Sequence, residues 1–370
     1  MDTKQLQGVK IAVIGGGYGG ACAAKALSLI GADVHVYEQA TQIREVGAGI
    51  GLRPSSVEQF RKWGVFNEMA AVSSPSDSFE ILTATGDLIM KEDWPGIHDY
   101  DEENKTRLIH RGDFIDALFK VLPADRVHLG YKMESIEDLG STATVKFTNG
   151  ESVTADLVIG ADGIKSLVRD TLFSKRTPVY SGEHAFRAVI SADHAYGLVT
   201  DDNLRMYIAE SGTKIYFLPL RHRNQVSFDI TAPSTDSSWA PVVTKEQMVS
   251  LMDGFDSRLV QITKDLDMAD VNVRAVHDID PVDVWHSDSV ALLGDAAHSM
   301  LHHQGQGANS AILDAGALAD SLVEAATVKE ALALYQATRK PVTDELQRIS
   351  RQGWNADAVD DVFPGQHDTK

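Results

Sequence analysis

The start of the chain constrains the fold more than any other stretch, because it combines two apolar runs with a glycine loop and a helix. Residues 9–17, VKIAVIGGG, form a continuous apolar run, which predicts a strand buried on both faces of a parallel sheet. Residues 18–31 form a small-residue helix with Gly31 as its C′ residue, and residues 32–38 form the next strand. Strands that alternate with helices in this way predict an α/β fold.

The glycine loop, GGGYGG at residues 15–20, fits G-x-G-x-x-G between a buried strand and a helix. Gly15 permits a tight turn, Gly17 lets the backbone approach a pyrophosphate, and Gly20 allows close packing of helix and strand. The helix N-terminus then faces the phosphates, and Glu38 at the end of the second strand would accept hydrogen bonds from ribose hydroxyls. These residues predict a dinucleotide site, but alone they do not distinguish FAD from NAD.

Hydrophobic patterning divides the rest of the chain into alternating segments. The inserted part is rich in β-branched and aromatic residues with alternating polarity, which predicts a mostly antiparallel sheet. The α/β pattern returns at residue 289 and continues into C-terminal helices. The predicted boundaries place an α/β domain at residues 1–78, 107–177 and 286–353, an inserted sheet domain at residues 79–106 and 178–285, and a tail at residues 354–370.

Composition excludes several classes of partner. The formal net charge is −19 without a basic run or stripe, which argues against nucleic acid and anionic membrane surfaces. Cys22 is the only cysteine, so the chain can form neither an internal disulfide nor a thiolate metal cluster. No segment reaches the roughly 18 apolar residues that span a bilayer. We therefore expect a cytoplasmic protein, either a monomer or a homodimer.

Two further loops repeat the arrangement of strand, glycine and helix. They are DLVIGADGIKSLVR at residues 156–169 and ALLGDAAHSMLHHQGQGAN at residues 291–309. An NAD dehydrogenase needs only the first glycine loop, whereas an extended flavin cofactor needs more contacts. Asp295 can bind ribityl hydroxyls, and the amides after Gly305 and Gly307 begin a helix whose dipole would stabilise a negatively charged reduced flavin.

Together these motifs resemble those of the single-component FAD-dependent aromatic hydroxylases, the group A flavoprotein monooxygenases. The matching stretches are GGGYGG, GADGIKSLVR and GDAAHSMLHHQGQGAN, with REVGAGIGLRPSSVEQFRKWG and HRGDFIDAL in support. The resemblance extends from about residue 9 to about residue 345 and is greatest to the salicylate and 6-hydroxynicotinate hydroxylase branch. It implies a Rossmann-like FAD-binding domain of the glutathione-reductase type, with an inserted substrate sheet and C-terminal helices.

The resemblance also implies which residues contact FAD, in addition to the first glycine loop. These are Glu38 and Gln39 at the ribose, Gly49 and Gly51 near the isoalloxazine, Arg111 and the backbone of Met133 at the adenosine half, and Asp295, Gly307 and Ala308 at the ribityl chain and ring. Asp162 lies in the loop that would serve both FAD and NAD(P)H.

The activity implied by the resemblance is hydroxylation, with or without decarboxylation, of an electron-rich aromatic or heteroaromatic small molecule. NADH or NADPH docks transiently and reduces the FAD, and O₂ then forms a flavin C4a-hydroperoxide that delivers the oxygen. Three alternatives remain open: the same chemistry on a larger polycyclic or antibiotic-like substrate, a flavin-free NAD(P)-dependent dehydrogenase, and a flavin-binding protein without turnover.

Three histidines in the third loop are candidates for chemistry. His302 stands where the family carries proline beside the flavin, so it is a candidate proton donor or relay, unless its ring only packs. A metal site formed with His298 and His303 is disfavoured, because no carboxylate motif such as H-E-x-x-H accompanies them. We expect a structural role for His298 and a solvent-facing side chain for His303.

The inserted sheet supplies the remaining candidates. A base that deprotonates a phenolic substrate would be Tyr216, Tyr207 or His222, and the alternation of KIYFLPLR favours Tyr216. An ordinary half-buried position in the sheet is the alternative for this tyrosine. Arg187 and Arg205 are candidates for binding a substrate carboxylate, with surface salt bridges as the alternative.

Overall fold

The computed structural model describes residues 6–42, 48–93 and 105–352. The helices in these ranges are α1 (Tyr18–Leu29), α2 (Pro54–Lys62), α3 (Phe66–Ala71), α4 (Arg111–Lys120), α5 (Leu167–Leu172), α6 (Lys245–Ser250), α7 (Ser257–Asp265), α8 (Asp295–His298), α9 (Gly307–Glu324) and α10 (Val328–Ser350). Among the described residues, no helix is both long and apolar enough to cross a membrane.

The same ranges contain eighteen named strands, numbered in chain order. They are β1 (Lys10–Ile14), β2 (Asp33–Glu38), β3 (Gly49–Leu52), β4 (Ser73–Pro75), β5 (Ser78–Thr83), β6 (Leu88–Asp93), β7 (Arg107–His110), β8 (Val127–Leu129), β9 (Met133–Asp138), β10 (Ala143–Phe147), β11 (Ser152–Ala155), β12 (Leu157–Gly160), β13 (Val179–Ser191), β14 (Leu204–Ile208), β15 (Lys214–Leu220), β16 (Gln225–Pro233), β17 (Asn272–Asp278) and β18 (Val290–Leu292).

A five-stranded parallel sheet with the order β18-β12-β1-β2-β8 forms the α/β part of the fold. Its three neighbouring strands β18, β12 and β1 run in the same direction, with Ile14 paired to Gly160 and Gly160 paired to Leu292. The carboxyl ends of these strands therefore meet at one edge of the sheet. Each strand is followed there by one of the three glycine-containing loops, as expected for ligand sites of open α/β sheets.

A seven-stranded sheet with the order β17-β13-β16-β15-β14-β5-β6 forms the second part. Its strands come from two separated stretches of the chain, and neighbours are antiparallel except for β14 and β5, which pair in parallel. One face packs on α6 and α7, with Phe217 and Ile215 in the same core cluster as Met248 and Leu259. This confirms the α/β fold with an inserted, mostly antiparallel sheet, while the exact domain boundaries stay predictions.

Two local elements differ from the sequence-based expectation. The pattern of residues 245–255 predicts one helix, but α6 ends at Ser250 and α7 begins at Ser257, where the Asp256 side chain caps it by accepting from Arg258 N at 2.8 Å. The segment after β18 was expected to be loop, yet residues 295–298 form one helical turn. This turn follows Gly294, whose φ of 63° and ψ of −139° suit only glycine.

A buried carboxylate connects the third loop to the C-terminal helices. Asp314 on α9 is fully buried and accepts hydrogen bonds from Gly294 N at 3.1 Å and Arg339 Nε at 2.7 Å. His298 Nε2 lies 2.6 Å from Asp314 Oδ2, the oxygen that also accepts from Gly294 N. Burial alone would raise the pKa of Asp314, but His298 and Arg339 lower it to about 2. The carboxylate is therefore ionised and fully paired.

Replacing Asp314 with Asn leaves Arg339 buried without its counter-charge. We expect the free energy of unfolding to fall by about 3–5 kcal/mol, measured by urea unfolding followed by circular dichroism. The Asp314 contribution is present above the unfolded-state pKa of about 3.9 and is lost as the pH falls towards 2. Asp320→Asn, on the exposed side of α9, is the control and should stay within about 0.5 kcal/mol of wild type. Equal stability of the two variants would contradict this interpretation.

Candidate active site

A cavity of about 540 Å³ lies between the carboxyl edge of the parallel sheet and the open face of the seven-stranded sheet. Its volume is typical of small-molecule sites. The first wall comes from the three glycine-containing loops and includes Gly17, Tyr18, Ala161, Gly163, Gly294, Asp295, Gly307 and Ala308. The second wall comes from the sheet and includes Ala185, Arg187, Tyr216, Leu218 and Asp229.

The first glycine loop is held in a conformation that other residues would disrupt. Gly15 has a φ of +105°, and a Cβ atom built on it would lie 2.3 Å from Ala161 O. A Cβ on Gly20 would lie 1.9 Å from Gly15 O, so this glycine allows helix α1 to pack closely on the loop. A Cβ on Gly17 would meet no atom within 4 Å. Gly17 therefore leaves open space beside the N-terminus of α1, where a pyrophosphate could approach.

The Glu38 side chain lies against this loop. Its carboxylate accepts hydrogen bonds from Gly16 N at 2.7 Å and Ala40 N at 2.8 Å, so it connects the glycine loop to the end of β2. Gln39 is exposed next to it. Contacts of Glu38 and Gln39 with a ribose stay predictions.

The second loop uses its aspartate to hold its own helix. Asp162 accepts from Ser166 Oγ at 2.5 Å and from Leu167 N at 2.8 Å, which caps α5, and burial raises its pKa. Its neighbours Ala161 and Gly163 line the cavity. The structure thus places the backbone of this loop, rather than the Asp162 carboxylate, in the cavity wall.

The third loop presents Asp295 and the start of α9 to the cavity. The Asp295 side chain is reached from the cavity, and its enclosure by protein raises its pKa. Helix α9 begins at Gly307 without a side-chain cap, and both Gly307 and Ala308 line the cavity. The first amides of this helix are therefore not bound by a capping side chain.

The remaining predicted cofactor residues fall into two groups. Arg111 begins α4 and lines the cavity, with its guanidinium 5.3 Å from the Tyr18 ring centroid. Gly49 and Gly51 on β3 also line it. Met133 is buried in the core at the start of β9 and is not part of the cavity wall, so its backbone contact stays a prediction.

Gly49 joins the two walls. Its N–H donates to Ser227 Oγ at 2.8 Å, and a Cβ at this position would lie 2.6 Å from Leu218 Cδ2. Glycine is therefore required by the close approach of β3 to strands β15 and β16.

On the sheet wall, one row of side chains crosses three strands. Arg187 on β13 pairs with Asp229 on β16, which pairs in turn with Tyr216 on β15. Directly paired residues point to the same face of a sheet, and all three line the cavity. Burial raises the pKa of Asp229 to about 7, with the Arg187 charge opposing the shift.

His302 approaches this row from the third loop. Its ring lies 5.7 Å from the Tyr216 ring in an edge arrangement, and its Nε2 is 3.0 Å from Thr231 Oγ1. Burial lowers the pKa of His302 well below its usual range, and the Arg187 charge adds to the effect. The imidazole is therefore neutral near pH 7.

Comparison with known proteins places this architecture in a family. A family model for the FAD binding domain matches residues 8–350. The chain belongs to this family. A 6-hydroxynicotinate 3-monooxygenase from Pseudomonas fluorescens is 31% identical over 357 residues, which cover 93% of this chain and 91% of the relative.

Two further comparisons agree with this membership. A 3-amino-4-hydroxybenzoate 2-monooxygenase from Streptomyces platensis is 31% identical, with 93% of this chain and 87% of the relative covered. The solved structure of a substituted HpxO from Klebsiella pneumoniae, complexed with FAD, matches with a TM-score of 0.83 at 25% identity, covering 93% of this chain and 89% of that one. The predicted membership in the FAD-dependent aromatic hydroxylases is confirmed.

The residues of the first wall fit the FAD that this family implies. Helices α1 and α9 both begin without a side-chain cap at the cavity, which suits anionic or electron-rich parts of a ligand. Arg111 Nε is buried without a hydrogen-bond partner. These groups, with Gly17 and Asp295, form a cradle whose polar atoms are left for a ligand.

Several sequence-based expectations for the hydroxylase site need correction. The expectation that His303 faces solvent is wrong: its side chain is buried, with Nε2 2.6 Å from Glu183 Oε2. Tyr207 lies on the opposite face of the sheet, in the core with Phe217. His222 lies outside the cavity wall, 2.8 Å from Asp113.

Arg205 is also on the opposite face, because its position pairs with Phe217 rather than with Tyr216. Its guanidinium binds Glu80 at 2.9 Å and also contacts Asp201, so it forms a salt bridge, but a buried one rather than the surface one that was the predicted alternative. Of the two arginine candidates, only Arg187 lines the cavity. Within the described residues, no cluster of metal-ligating side chains is present.

Sequence reasoning did not identify Asp229 or Ser227. The stretch QVSFDIT alternates polar and apolar residues, which indicated a strand but gave no reason to single out its aspartate. The available signal was the alternation itself, since it places Ser227, Asp229 and Thr231 on one face.

Removing the Asp295 carboxylate should weaken FAD binding without unfolding the protein. For Asp295→Ala, we expect the Kd for FAD to rise roughly 10- to 100-fold, because hydrogen bonds to a charged acceptor contribute about 1.5–3 kcal/mol. Quenching of FAD fluorescence on titration with apoprotein measures this Kd. Glu324→Ala, at the exposed end of α9, is the control. An unchanged Kd for Asp295→Ala would exclude the contact.

Proposed function

We propose that this protein is an FAD-dependent monooxygenase that uses NADH or NADPH and O₂ to hydroxylate a small, electron-rich aromatic or heteroaromatic ring. The observation that carries the proposal is one continuous cavity that joins the cradle of glycine loops to the polar row on the sheet. Support comes from relatives 31% identical that are named for 6-hydroxynicotinate and 3-amino-4-hydroxybenzoate as substrates.

The first wall would hold the cofactor. The α1 N-terminus at Gly17 suits the pyrophosphate, Arg111 adds positive charge, and Asp295 suits the ribityl hydroxyls. The flavin end would lie at Gly307 and Ala308, beside the uncapped start of α9. When bound, FAD supplies hydride acceptance and oxygen activation, which side chains cannot provide.

The second wall would bind the ring and exclude water. Phe79, Leu204 and Leu218 give this wall an apolar surface next to the polar row. A dry site strengthens each hydrogen bond to the substrate and protects reactive species from water.

Tyr216 would act as a hydrogen-bond donor to the substrate. Its hydroxyl is buried without a hydrogen-bond partner, and burial raises its pKa far above the usual value. The phenol therefore remains protonated at neutral pH, which differs from the role of base that the sequence suggested. It can orient a ring oxygen by donating a hydrogen bond to it.

His302 would relay a proton rather than carry a positive charge. Its neutral ring has one donor and one acceptor nitrogen, and Nε2 already lies beside Thr231 Oγ1. Behind it, His303 packs at 5.0 Å and contacts Glu183, which also binds Lys214 at 3.0 Å. These groups form a polar path that leads away from the cavity.

A small substrate is favoured over a polycyclic one by the relatives named for 6-hydroxynicotinate and 3-amino-4-hydroxybenzoate. A flavin-free dehydrogenase is disfavoured, because residues 8–350 match an FAD-binding family and two extra loops line the cavity.

The first test is a visible spectrum of the purified protein, followed by NADH and NADPH oxidation and oxygen uptake. The panel contains hydroxybenzoates, aminobenzoates and hydroxypyridines. Flavin bands, with one compound that stimulates both rates and yields a hydroxylated product, are the expected result. Absence of flavin even after FAD is added would overturn the proposal, and so would flavin that no compound on a broad panel of aromatic substrates turns over.

Replacing Tyr216 with Phe should slow substrate-stimulated NAD(P)H oxidation. We expect kcat/KM to fall roughly 3- to 10-fold, since one hydrogen bond to the substrate contributes about 0.5–1.5 kcal/mol. Tyr207→Phe, on the other face of the same sheet, is the matched control and should stay near wild type. Equal losses in both variants would indicate a structural effect instead.

A further inference from the structure

The row formed by Arg187, Asp229 and Tyr216 faces the cavity, and most of the hydrogen-bonding capacity of its side chains is unused. Within the residues that the structure describes, no acceptor lies within hydrogen-bond or ion-pair distance of the Arg187 guanidinium. Asp229 accepts one bond, from Ser227 Oγ at 3.3 Å. The Tyr216 hydroxyl has none.

Arg205 provides the contrast within the same sheet. It lies on the opposite face, where Glu80 binds its Nε and Asp201 contacts its Nη2, so two of its three nitrogens are paired. Buried polar groups in proteins are normally paired in this way, because an unmade bond loses the hydration of the group without replacement. Arg187 and Asp229 face the cavity instead, so a ligand in the cavity can supply the missing partners.

The two groups differ in what they require. Arginine binds an anionic oxygen, best in the two-pronged geometry of a carboxylate. Asp229 has free acceptor capacity and requires an O–H or N–H donor. Directly paired residues on neighbouring antiparallel strands have Cβ atoms about 4.5–5.5 Å apart, so one aromatic ring can reach both.

We propose that Arg187 and Asp229 form the substrate-recognition pair for an aromatic acid. Arg187 binds its carboxylate, and Asp229 binds its ring O–H or N–H group and takes that proton during hydroxylation. This inference rests on the proposed function and names the substrate class within it: hydroxy- or amino-substituted aromatic and heteroaromatic carboxylates.

The proton transfer takes place between the substrate and Asp229 alone. The O–H or N–H bond of the substrate breaks, its proton joins a carboxylate oxygen of Asp229, and the electron pair stays on the oxygen or nitrogen. That pair increases the electron density of the ring, which favours attack on oxygen derived from O₂. The protonated Asp229 returns its proton to solvent when the product leaves.

The surroundings of Asp229 suit this exchange. The ionisable groups that act on it are Arg187 from β13, Tyr216 from β15 and Tyr18 from α1. His302 lies beside Tyr216, and Glu183 and Lys214 lie farther along the same face. With its pKa raised to about 7, the carboxyl is protonated below that pH and cannot accept the proton there. Turnover should therefore fall as the pH drops below about 7.

The test measures binding separately from turnover. FAD-loaded protein is titrated with 2-, 3- and 4-hydroxybenzoate and 6-hydroxynicotinate, and the change in flavin absorbance gives Kd. Each compound is compared with the parent acid that lacks the hydroxyl and with the phenol or hydroxypyridine that lacks the carboxylate. At least one complete compound should bind about tenfold or more tightly than either of its parents.

Two variants separate the roles. Arg187→Met should remove the advantage of the carboxylate, about tenfold or more in Kd, while leaving Kd for the phenol or hydroxypyridine close to wild type. Asp229→Asn keeps the shape but should remove the advantage of the hydroxyl and abolish the fall in kcat between about pH 8.5 and pH 5.5. Glu80→Gln, on the opposite face, is the matched control.

The outcomes distinguish this inference from the proposed function. Wild-type Kd values that do not depend on carboxylate or hydroxyl would overturn the inference, and so would variants with wild-type preferences. A hydroxylated product formed equally well by both variants would keep the monooxygenase and reject the recognition pair. The predicted binding preference without any oxygen uptake would support the pair and reject the proposed monooxygenase.

Discussion

Three strands that are far apart in the chain run parallel and end at one edge of a sheet, and the rest of the molecule depends on this arrangement. β1, β12 and β18 are neighbours, so the loops that follow them meet although they lie up to about 280 residues apart in sequence. The close approach of Gly15 to the carbonyl of Ala161 fixes two of these loops against each other. Asp314 anchors the third to the C-terminal helices, because its carboxylate binds the backbone of Gly294. These contacts within the protein thus position the helix N-termini that suit a cofactor.

The second constraint is the contact between the two sheets. β3 belongs to a small sheet with β7 and β4, yet the Gly49 amide bonds to Ser227 of the seven-stranded sheet. Ser227 in turn donates to Asp229, so a backbone group of one wall is connected through one hydroxyl to the carboxylate on the other. A side chain at position 49 would push Leu218 and Ser227 away and widen the cavity. The glycine at position 49 therefore permits the close approach of β3 to the seven-stranded sheet.

The sequence was most informative where local pattern determines burial. The apolar run before the first glycine loop and the run before Gly160 became central strands, since only a parallel sheet covered on both faces accommodates them. Side-chain partners across long separations were not predictable. Asp229 is important because of its register with Arg187 and Tyr216, and alternation along one strand does not reveal register between strands. His303 was expected at the surface because its partner Glu183 lies 120 positions earlier in the chain.

The construction of the cavity from two independent walls has a consequence for how such proteins diversify. The loops of one wall are constrained by backbone geometry, because a Cβ atom at Gly15 or Gly20 would collide with a carbonyl oxygen. The strands of the other wall present side chains on a regular lattice, with Arg187, Asp229 and Tyr216 in one row and Ala185, Thr231 and Lys214 in the next. Exchanging residues on this lattice changes charge and shape in the cavity and leaves the strand hydrogen bonds in place. A few substitutions on this wall can therefore change which ring the cavity accepts without altering the glycine loops of the other wall.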